Sequence, residues 1–347
     1  MTNKILSIII PTYNMEAYIG RCLNSVCQSE HIDDIEVIAV NDGSKDNSLS
    51  IIEQYAKQYP QSVVVIDKKN GNYGSCINAG LQIANGKYIK VLDADDWFDT
   101  ISLSKYIEHL GTIDADVSIT SFEQVDTQGN LIRKWSYAQG EPLGGKSVDD
   151  FFAYSFNLTL PMHRIAYKRD LLINMQYRQT EGISYTDSEW AYKPMLRAQT
   201  VDVSDISVYR YVLGRDGQTM DPKVILRSLS QENILIESLA SDRNAVKDKL
   251  QGNLSAFADF VICRKAIFIY TQMLLIASNE QFDANIVRQL EVHLQNLAPD
   301  LYERMATFDA RCFVVRKWRK SNKRYNTILR KLIVLALNTY KRVVNNE

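Results

Sequence analysis

Three aspartates, Asp93, Asp95 and Asp96, lie within four residues directly after an apolar run that predicts a strand over 87–92. Carboxylates this close repel one another, and burying them is costly unless a cation or hydrogen-bond donors offset the charge. Hard oxygen ligands suit Mg²⁺ or Mn²⁺, which keep several waters and complete their shell with substrate phosphates. The cluster therefore predicts a divalent-cation site. Taken alone, it is more typical of a solvated acidic turn that caps the next helix.

Three other polar turns carry candidate binding groups. Asp42 follows a second predicted strand, and its carboxylate can accept a hydrogen bond from a base N–H or a ribose hydroxyl. Pro11, Thr12 and Tyr13 follow the first strand and could line a nucleotide pocket, although an ordinary strand-to-helix turn also explains them. Residues 70–75 follow the third strand and contain two glycines, which let the backbone approach a ligand closely. Their spacing is not that of a phosphate-binding P-loop.

The elements that position these groups alternate between two hydrophobic periodicities. Short apolar runs predict strands, and stretches with apolar residues three and four apart predict the helices between them. The strands are predicted over 6–10, 36–40, 63–66 and 87–92, and the helices over 16–28, 48–59 and 73–84. This order is typical of an α/β fold, a Rossmann-like and mainly parallel central sheet flanked by helices. Ligands bind such sheets at the carboxyl ends of the strands, where all four polar segments lie.

The rest of the chain changes character near residue 220. Before that point, strands are expected over 117–125, 131–135, 160–167, 201–203 and 208–212, with helices over 169–175 and 187–198. Beyond Pro222 glycine is almost absent, and helical periodicity covers 224–241, 257–278, 284–297 and 327–344. We therefore expect an α/β domain over 1–220 and a helical C-terminal region over 221–347.

Charge is unevenly distributed in a chain of 347 residues whose net charge is −1. From Arg304 to Glu347, twelve Lys and Arg face two acidic residues, a net charge of +10, so the remainder carries −11. Residues 316–324 are basic, and apolar residues follow them over 328–336. This pattern predicts either a peripheral contact with anionic lipid or a helix packed on the core or on a second subunit. No module of stacking aromatic residues accompanies it, so no nucleic-acid partner is expected.

The cysteines and the apolar runs indicate a compartment. The five cysteines are odd in number and lie far apart, which predicts reduced thiols. No apolar stretch approaches the roughly 20 residues that span a bilayer, and the run over 5–10 is too short for the core of a signal peptide. We therefore expect a cytoplasmic protein, peripheral on the inner face of the cell membrane if the basic segment binds lipid. The oligomeric state is open.

The motifs, taken together, resemble those of a known family. The chain contains, in order, Ile8-Ile9-Ile10-Pro11-Thr12-Tyr13-Asn14, Val40-Asn41-Asp42-Gly43-Ser44, Asn78-Ala79-Gly80 and Leu92-Asp93-Ala94-Asp95-Asp96. This combination resembles family 2 of the glycosyltransferases, which have the GT-A fold. The resemblance is dense over residues 5–100 and thinner to about 220. It implies a bacterial-type enzyme that transfers a sugar from a nucleotide-sugar donor with inversion at the anomeric carbon.

For the donor and the cation, the resemblance assigns roles position by position. Asp93 and Asp95 match the two ends of the family's D-x-D motif, so Asp95 would bind Mn²⁺ or Mg²⁺ directly and Asp93 would face the ribose or the metal. Asp96 is expected to support the motif. UDP is the nucleotide implied by family habit. The positions expected at the nucleotide base are Pro11, Thr12, Tyr13 and Asp42.

The catalytic base of the family is an aspartate in a Glu-Asp pair that opens a helix. The local match is Thr186-Asp187, in which threonine replaces the glutamate, and Asp187 aligns as the base. Glu189 and Glu181 are rivals for this role. A helix N-cap is the other interpretation of Asp187.

Arg215 lies in a polar loop over 214–220 and would neutralise charge on the leaving diphosphate, unless the loop is an ordinary surface turn. The Q-x-x-R-W motif and the membrane spans of processive relatives do not occur, which favours addition of a single sugar to a hydroxyl of a glycan or lipid-linked acceptor. Two other classes compete. A non-catalytic nucleotide-sugar-binding or scaffold protein of the same fold would tend to lose the acidic cluster. A nucleotidyltransferase would be expected to carry a glycine-rich phosphate loop with Lys or Arg after the first strand.

Overall fold

A computed structural model describes residues 4–136, 144–155, 160–184, 186–214, 222–277, 281–308 and 310–321 of the chain. The chain divides into two compact units. The first contains residues 1–216 together with 251–254, and the second contains 217–250 together with 255–347.

One sheet organises the first unit. Its ten strands are β1 (Leu6–Thr12), β2 (Ile35–Asn41), β3 (Val63–Asp67), β4 (Tyr88–Val91), β5 (Trp97–Phe98), β6 (Val117–Val125), β7 (Leu131–Trp135), β8 (Gly144–Ser147), β9 (Ile165–Lys168) and β10 (Thr200–Val212). The strand order is β3-β2-β1-β4-β9-β6-β10-β5, with β7 paired to β6 and β8 to β10. The first four strands of this order are parallel, as are β6 and β10. Because β9 lies antiparallel between β4 and β6, the sheet is mixed.

Seven helices accompany the strands in the described part of the first unit. They are α1 (Ile19–Cys27), α2 (Ser48–Gln58), α3 (Asn72–Ile83), α4 (Thr100–Thr112), α5 (Val148–Ser155), α6 (Arg169–Asn174) and α7 (Asp187–Tyr192). The α/β class and the flanking helices predicted from the sequence are confirmed. β1 is apolar along most of its length and buried because helices cover both faces of the parallel part of the sheet. On one face α3 packs closely, since a Cβ on Gly80 would come within 2.7 Å of the Ile9 side chain.

Several predicted elements differ in extent from the structure. The strand predicted over 160–167 begins only at Ile165, as β9, because Met162–Arg164 form a 3₁₀ turn. The strands predicted over 201–203 and 208–212 form a single strand, β10, whose pairing with β6 shifts register between Val203 and Ser207. Such irregularities let a strand continue through residues that break its alternation, here the polar segment that starts at Ser204. The helix predicted over 187–198 ends at Tyr192 as α7. Pro194 follows two residues later, and its ring nitrogen cannot donate the hydrogen bond that would extend the helix.

The second unit is helical in its described part. Its helices are α8 (Pro222–Val246), α9 (Gly252–Thr271, whose first three residues belong to the first unit), α10 (Ala284–Leu297), α11 (Pro299–Arg304) and α12 (Phe313–Lys320). A buried ionic cluster joins three of them, since the Arg243 guanidinium lies 2.7 Å from carboxylate oxygens of both Asp259 and Asp300. No described helix combines the length and apolar character that crossing a bilayer requires. All five cysteines are buried and none forms a disulfide.

The basic C-terminal segment is described only in part. In α12 the apolar residues Val314, Val315 and Trp318 are buried, whereas Arg316 and Lys317 are exposed. The apolar side of this helix is therefore used in packing the second unit. Residues 322–347, which include the helix predicted over 327–344, lie outside the described residues.

Candidate active site

The predicted donor-binding and acidic residues follow adjacent parallel strands. β1 pairs with β2 on one side and with β4 on the other, and both pairings are parallel. Asp42 is the first residue after β2, and Asp93 is the second residue after β4. Because the carboxyl ends of these strands meet at one edge of the sheet, the two carboxylates lie along the same edge, on either side of the end of β1.

The end of β1 offers a ring and a stretch of backbone to this edge. Tyr13 is 46% exposed, which is unusual for a tyrosine beside a buried strand. Thr12 is buried, and its hydroxyl donates to the carbonyl oxygen of Ile10 at 3.2 Å. Pro11 is partly buried within the strand. Of the three residues predicted beside a nucleotide base, Tyr13 therefore presents its side chain, and Thr12 can contribute only backbone groups.

Asp42 is held by two donors at the same oxygen. Its Oδ1 accepts hydrogen bonds from the Lys68 ammonium at 2.6 Å and from the backbone N–H of Gly71 at 2.9 Å. Lys68 also donates to the carbonyl oxygen of Lys69 and to the Ser75 hydroxyl, each at 2.8 Å. The Asp42 side chain is only 3% exposed. These contacts fix the rotamer of the carboxylate, which the buried Cys76 thiol also approaches within hydrogen-bond reach.

Asp93 is oriented by two tyrosines. The Tyr73 hydroxyl donates to Asp93 Oδ1 at 2.7 Å, and the Asp93 backbone N–H donates to the Tyr209 hydroxyl oxygen at 3.2 Å. Burial, followed by the charge of Asp93 and then by that of Asp187, raises the pKa of Tyr73 well above its usual value. Tyr73 is therefore a neutral donor, and the charge of Asp187 acts on the same hydroxyl as that of Asp93.

Asp96 connects the acidic turn to β10. Its Oδ2 accepts from the Tyr209 hydroxyl at 2.7 Å, and its Oδ1 accepts from the backbone N–H of Val212 at 2.8 Å. The side chain is buried, and this burial, followed by the charges of Asp95 and Asp93, raises the pKa of Asp96 well above its usual value. These bonds give Asp96 a structural role, since they hold the end of β10 against the acidic turn.

The N-terminal end of α3 brings the segment before α7 to the same edge. A Cβ on Gly74 would lie 2.0 Å from the carbonyl oxygen of Thr180, so only glycine permits this approach of the two backbones. The backbone N–H of Gly182 donates to the carbonyl oxygen of Gly71 at 3.0 Å. The glycines of the 70–75 segment, predicted to let the backbone approach a ligand, thus serve at Gly74 to admit another part of the chain.

The three candidates for the catalytic base differ in their surroundings. Asp187 is exposed at the first position of α7. Glu189 is fully buried, pairs with the Lys193 ammonium at 2.6 Å and accepts hydrogen bonds from the backbone and hydroxyl of Thr180. Glu181 accepts from Asn78 at 2.8 Å and from Arg178 at 2.9 Å. Glu189 is thus occupied as a structural residue, whereas Asp187 and Glu181 are both exposed.

The donor atoms at this edge can hold a cation. In the described part of the chain, Asp93, Asp96 and His163 can each offer one ligand atom, and these atoms lie within 4.8 Å of one another. Both ring nitrogens of His163 are buried without a hydrogen-bond partner. Two carboxylates and an imidazole nitrogen suit a divalent transition metal such as Mn²⁺. Asp95 is partly buried in the same turn but lies outside that group of three. The residues present therefore fit a divalent cation.

Several functional candidates escaped the sequence-based prediction, and one predicted residue cannot be placed. Lys68, Tyr73 and His163 contact or approach predicted site residues, yet none was singled out from the sequence. Tyr73 lies inside the glycine-containing segment over 70–75, which was predicted to approach a ligand. The position of this segment could therefore have identified Tyr73 as a candidate. Arg215 lies outside the described residues.

Comparison with known proteins gives consistent matches. Residues 7–174 match the family model described as glycosyl transferase family 2. The chain is 36% identical over 210 residues to EpsJ of Bacillus subtilis, named as an uncharacterized glycosyltransferase, covering 60% of each chain. It is 30% identical over 218 residues to the poly(ribitol-phosphate) beta-glucosyltransferase of Bacillus spizizenii, covering 62% of this chain and 33% of that protein. The chain thus spans three fifths of the length of EpsJ and one third of the length of the glucosyltransferase.

The fold also matches a solved structure. The crystal structure of S. aureus TarS 1-349 in complex with UDP-GlcNAc superposes with a TM-score of 0.62 and 20% sequence identity, over 91% of this chain and 92% of that one. At this level of identity the match establishes a shared fold, the one that the motifs predicted.

Proposed function

Because this chain belongs to glycosyl transferase family 2, we propose that it transfers a single sugar from a nucleotide-sugar donor to a hydroxyl of a glycan or lipid-linked acceptor, with inversion at the anomeric carbon. The observation that carries the proposal is the gathering of Asp42, Asp93 and the segment leading to Asp187 around the N-terminal end of α3. A donor-binding carboxylate, a cation-binding carboxylate and an accessible base are the three groups that such a transfer requires.

Asp93 and Asp95 would hold a Mn²⁺ or Mg²⁺ ion, which when bound stabilises the negative charge that develops on the departing diphosphate. Tyr73 and Tyr209 position Asp93 for this task through the hydrogen bonds described above. Asp96 keeps the turn fixed to the end of β10. The chain thereby presents its carboxylates in a set geometry before the donor binds, so little reorganisation is needed when it does.

Asp187 would accept the proton of the acceptor hydroxyl as that oxygen attacks the anomeric carbon. The exposure of its side chain supports this role, because a base must reach an acceptor that arrives from solvent. One direct displacement, with no covalent intermediate on the enzyme, inverts the anomeric configuration. The remaining contribution of the protein is to hold the two substrates in reactive geometry.

The surroundings of Asp42 support a uridine nucleotide. Uracil offers one N–H, at N3, whereas guanine offers a ring N–H and an adjacent amino group that together engage both oxygens of a carboxylate. Oδ1 of Asp42 already accepts from Lys68 and Gly71, so this carboxylate suits the single donor of uracil better than a base that must engage both oxygens. Tyr13 would pack against the base. The complex of TarS with UDP-GlcNAc, in a protein of the same fold, is in keeping with this assignment.

Replacing Asp42 with asparagine is expected to weaken UDP binding about 10-fold to 100-fold, because a hydrogen bond to a charged acceptor contributes about 1.5–3 kcal/mol. Isothermal titration of UDP in the presence of Mn²⁺ measures the change. Asp33→Asn, an exposed aspartate at the opposite end of β2, is the matched control. GDP is expected to bind more weakly than UDP to the wild type. Unchanged UDP affinity in Asp42→Asn, or tighter binding of GDP, would contradict the assignment.

The acceptor is proposed from chemistry shared with relatives. One relative is named a poly(ribitol-phosphate) beta-glucosyltransferase and another, GgaB, a minor teichoic acid biosynthesis protein. A polyol-phosphate or glycan chain carried on a lipid is therefore the acceptor class that we favour, and a cytoplasmic protein would meet it at the inner face of the membrane.

A peripheral contact with anionic lipid through the basic segment belongs to the same proposal. The exposed Arg316 and Lys317 of α12 supply positive charge. The apolar side of α12 is buried in the protein and cannot insert into lipid, so this contact would be electrostatic. Flotation of the full chain with anionic vesicles is therefore expected at low salt and lost at high salt. A variant that carries Arg316→Gln and Lys317→Gln lacks these two charges and is expected to float less than the wild type at low salt. Equal flotation of the two proteins would remove these residues from the proposal.

A further inference from the structure

His163 lies at the acidic edge of the sheet in an aromatic environment. It belongs to a single 3₁₀ turn, Met162–Arg164, that leads into β9. Its ring stacks on Phe122, with ring centres 5.5 Å apart, and contacts Tyr209 and Tyr211 at 4.7 Å and 4.4 Å. These three rings fix the plane of the imidazole. Both ring nitrogens are nevertheless buried without a hydrogen-bond partner.

A buried imidazole without partners is costly, and such groups call for an explanation. A neutral imidazole carries a lone pair on one ring nitrogen, and among the described residues no hydrogen-bond donor occupies it here. The Lys90 ammonium donates to the His163 carbonyl oxygen at 2.8 Å, which ties the backbone of this residue to β4 just before the acidic turn.

The distances are compatible with ligation. The ligand atoms of Asp93, Asp96 and His163 lie within 4.8 Å of one another. Around an ion with ligands at about 2.1 Å, neighbouring ligand atoms lie about 3 Å apart and opposite ones about 4 Å apart. A closure of up to about 2 Å between neighbouring ligand atoms would bring the imidazole and the carboxylates onto one ion. A metal-bound imidazole usually donates its second N–H to a protein oxygen. Here the three aromatic rings hold the orientation of the imidazole instead.

We propose that His163 is a nitrogen ligand of the divalent cation at Asp93, and that it makes this site prefer Mn²⁺ to Mg²⁺. The preference follows because Mg²⁺ takes oxygen ligands almost exclusively, whereas imidazole binds transition metals more readily. This inference rests on the proposed function only in requiring a cation at the acidic turn. It adds a ligand from outside the D-x-D segment, contributed by the turn before an antiparallel strand.

Electron spin-echo envelope modulation of the Mn²⁺-loaded full chain with UDP tests the assignment directly, because it detects ¹⁴N bonded to the metal. A ¹⁴N signal is expected in the wild type. It is expected to disappear in His163→Phe, which keeps the ring packing but removes the nitrogens. His31→Gln, which replaces a histidine that contacts Asp34 and Glu108, is the matched control and is expected to retain the signal.

The affinity for Mn²⁺, measured from the EPR signal of the free ion, is expected to fall about 10-fold or more in His163→Phe. The affinity for Mg²⁺, measured by competition, is expected to change less. If His163→Phe does not fold, labelling the wild type with ¹⁵N-histidine serves the same purpose, since it must convert the ¹⁴N signal to a ¹⁵N signal.

Three results would contradict the inference, and they have different consequences for the proposed function. Mn²⁺ bound with UDP but without any histidine nitrogen signal removes His163 as a ligand and leaves the proposed function intact. Absence of Mn²⁺ and Mg²⁺ binding, with UDP present, removes both the ligand and the metal dependence of the proposed transfer. An equal loss of Mg²⁺ and Mn²⁺ affinity in a folded His163→Phe protein would contradict the preference for Mn²⁺.

Discussion

Asp95→Ala is expected to lower metal-dependent sugar transfer at least about 1000-fold, the equivalent of about 4 kcal/mol of transition-state stabilisation. The reason is electrostatic. Charge accumulates on the diphosphate as the bond to the sugar breaks, and a cation that has lost a carboxylate ligand binds more weakly and is placed less accurately against that charge. Release of UDP from a UDP-sugar, measured over a range of Mn²⁺ concentrations with an acceptor present, gives kcat and the apparent metal affinity separately.

The matched control for this experiment is Asp170→Ala. Asp170 is an exposed aspartate in the first turn of α6, away from the acidic turn, and its replacement is expected to leave kcat and metal affinity unchanged. A partial recovery of Asp95→Ala at high Mn²⁺ concentration would agree with a ligand role, because mass action offsets weaker binding. Near-normal turnover of Asp95→Ala at low Mn²⁺ would contradict the assignment of Asp95 as a metal ligand. Asp93, Asp96 and His163 would then be the candidate ligands.

Local sequence patterns predicted the parts of the fold that depend on local properties. The apolar runs of β1 to β4 are short and β-branched, and the stretches between them carry helical spacing, so the alternation was readable residue by residue. β6 and β7 were predicted with the bounds that the structure has, Val117–Val125 and Leu131–Trp135. The sequence predicted two strands where the structure has the single strand β10, because Ser204 and the charged residue after it interrupt the apolar alternation. The continuous strand becomes evident only from its pairing with β6.

The site was predictable where its residues follow strand ends and was missed where tertiary packing creates it. Asp42 and Asp93 could be placed at one edge because parallel strands end together. Nothing in the spacing of His163 indicates that its turn lies beside the acidic cluster, since β9 enters the sheet next to β4 from a distant part of the chain. Likewise, the pairing of Lys68 with Asp42 depends on β3 lying next to β2.

Asp187→Asn is expected to lower kcat about 100-fold to 10,000-fold while changing the affinity for the donor by less than about 2-fold. Asparagine preserves the size of the side chain but cannot take up the acceptor proton, so the effect should fall on the chemical step. Donor binding is measured by isothermal titration and turnover by UDP release. The N-cap of α7 is Thr186, so the alternative role of Asp187 is to stabilise the first turn of the helix by its charge, and replacement would then alter stability instead of kcat.

The two rival carboxylates distinguish the alternatives. Glu181→Gln retains an oxygen for Asn78 and is expected to stay within about 3-fold of wild-type kcat, the usual consequence of changing an exposed polar contact. Glu189→Gln leaves the Lys193 ammonium, whose side chain is 11% exposed, without its charged partner. It is expected to reduce the free energy of unfolding in urea by about 3 kcal/mol. If Asp187→Asn kept wild-type kcat and Glu181→Gln lost it, Glu181 would be the base, since it shares with Asp187 the access to solvent that the buried Glu189 lacks.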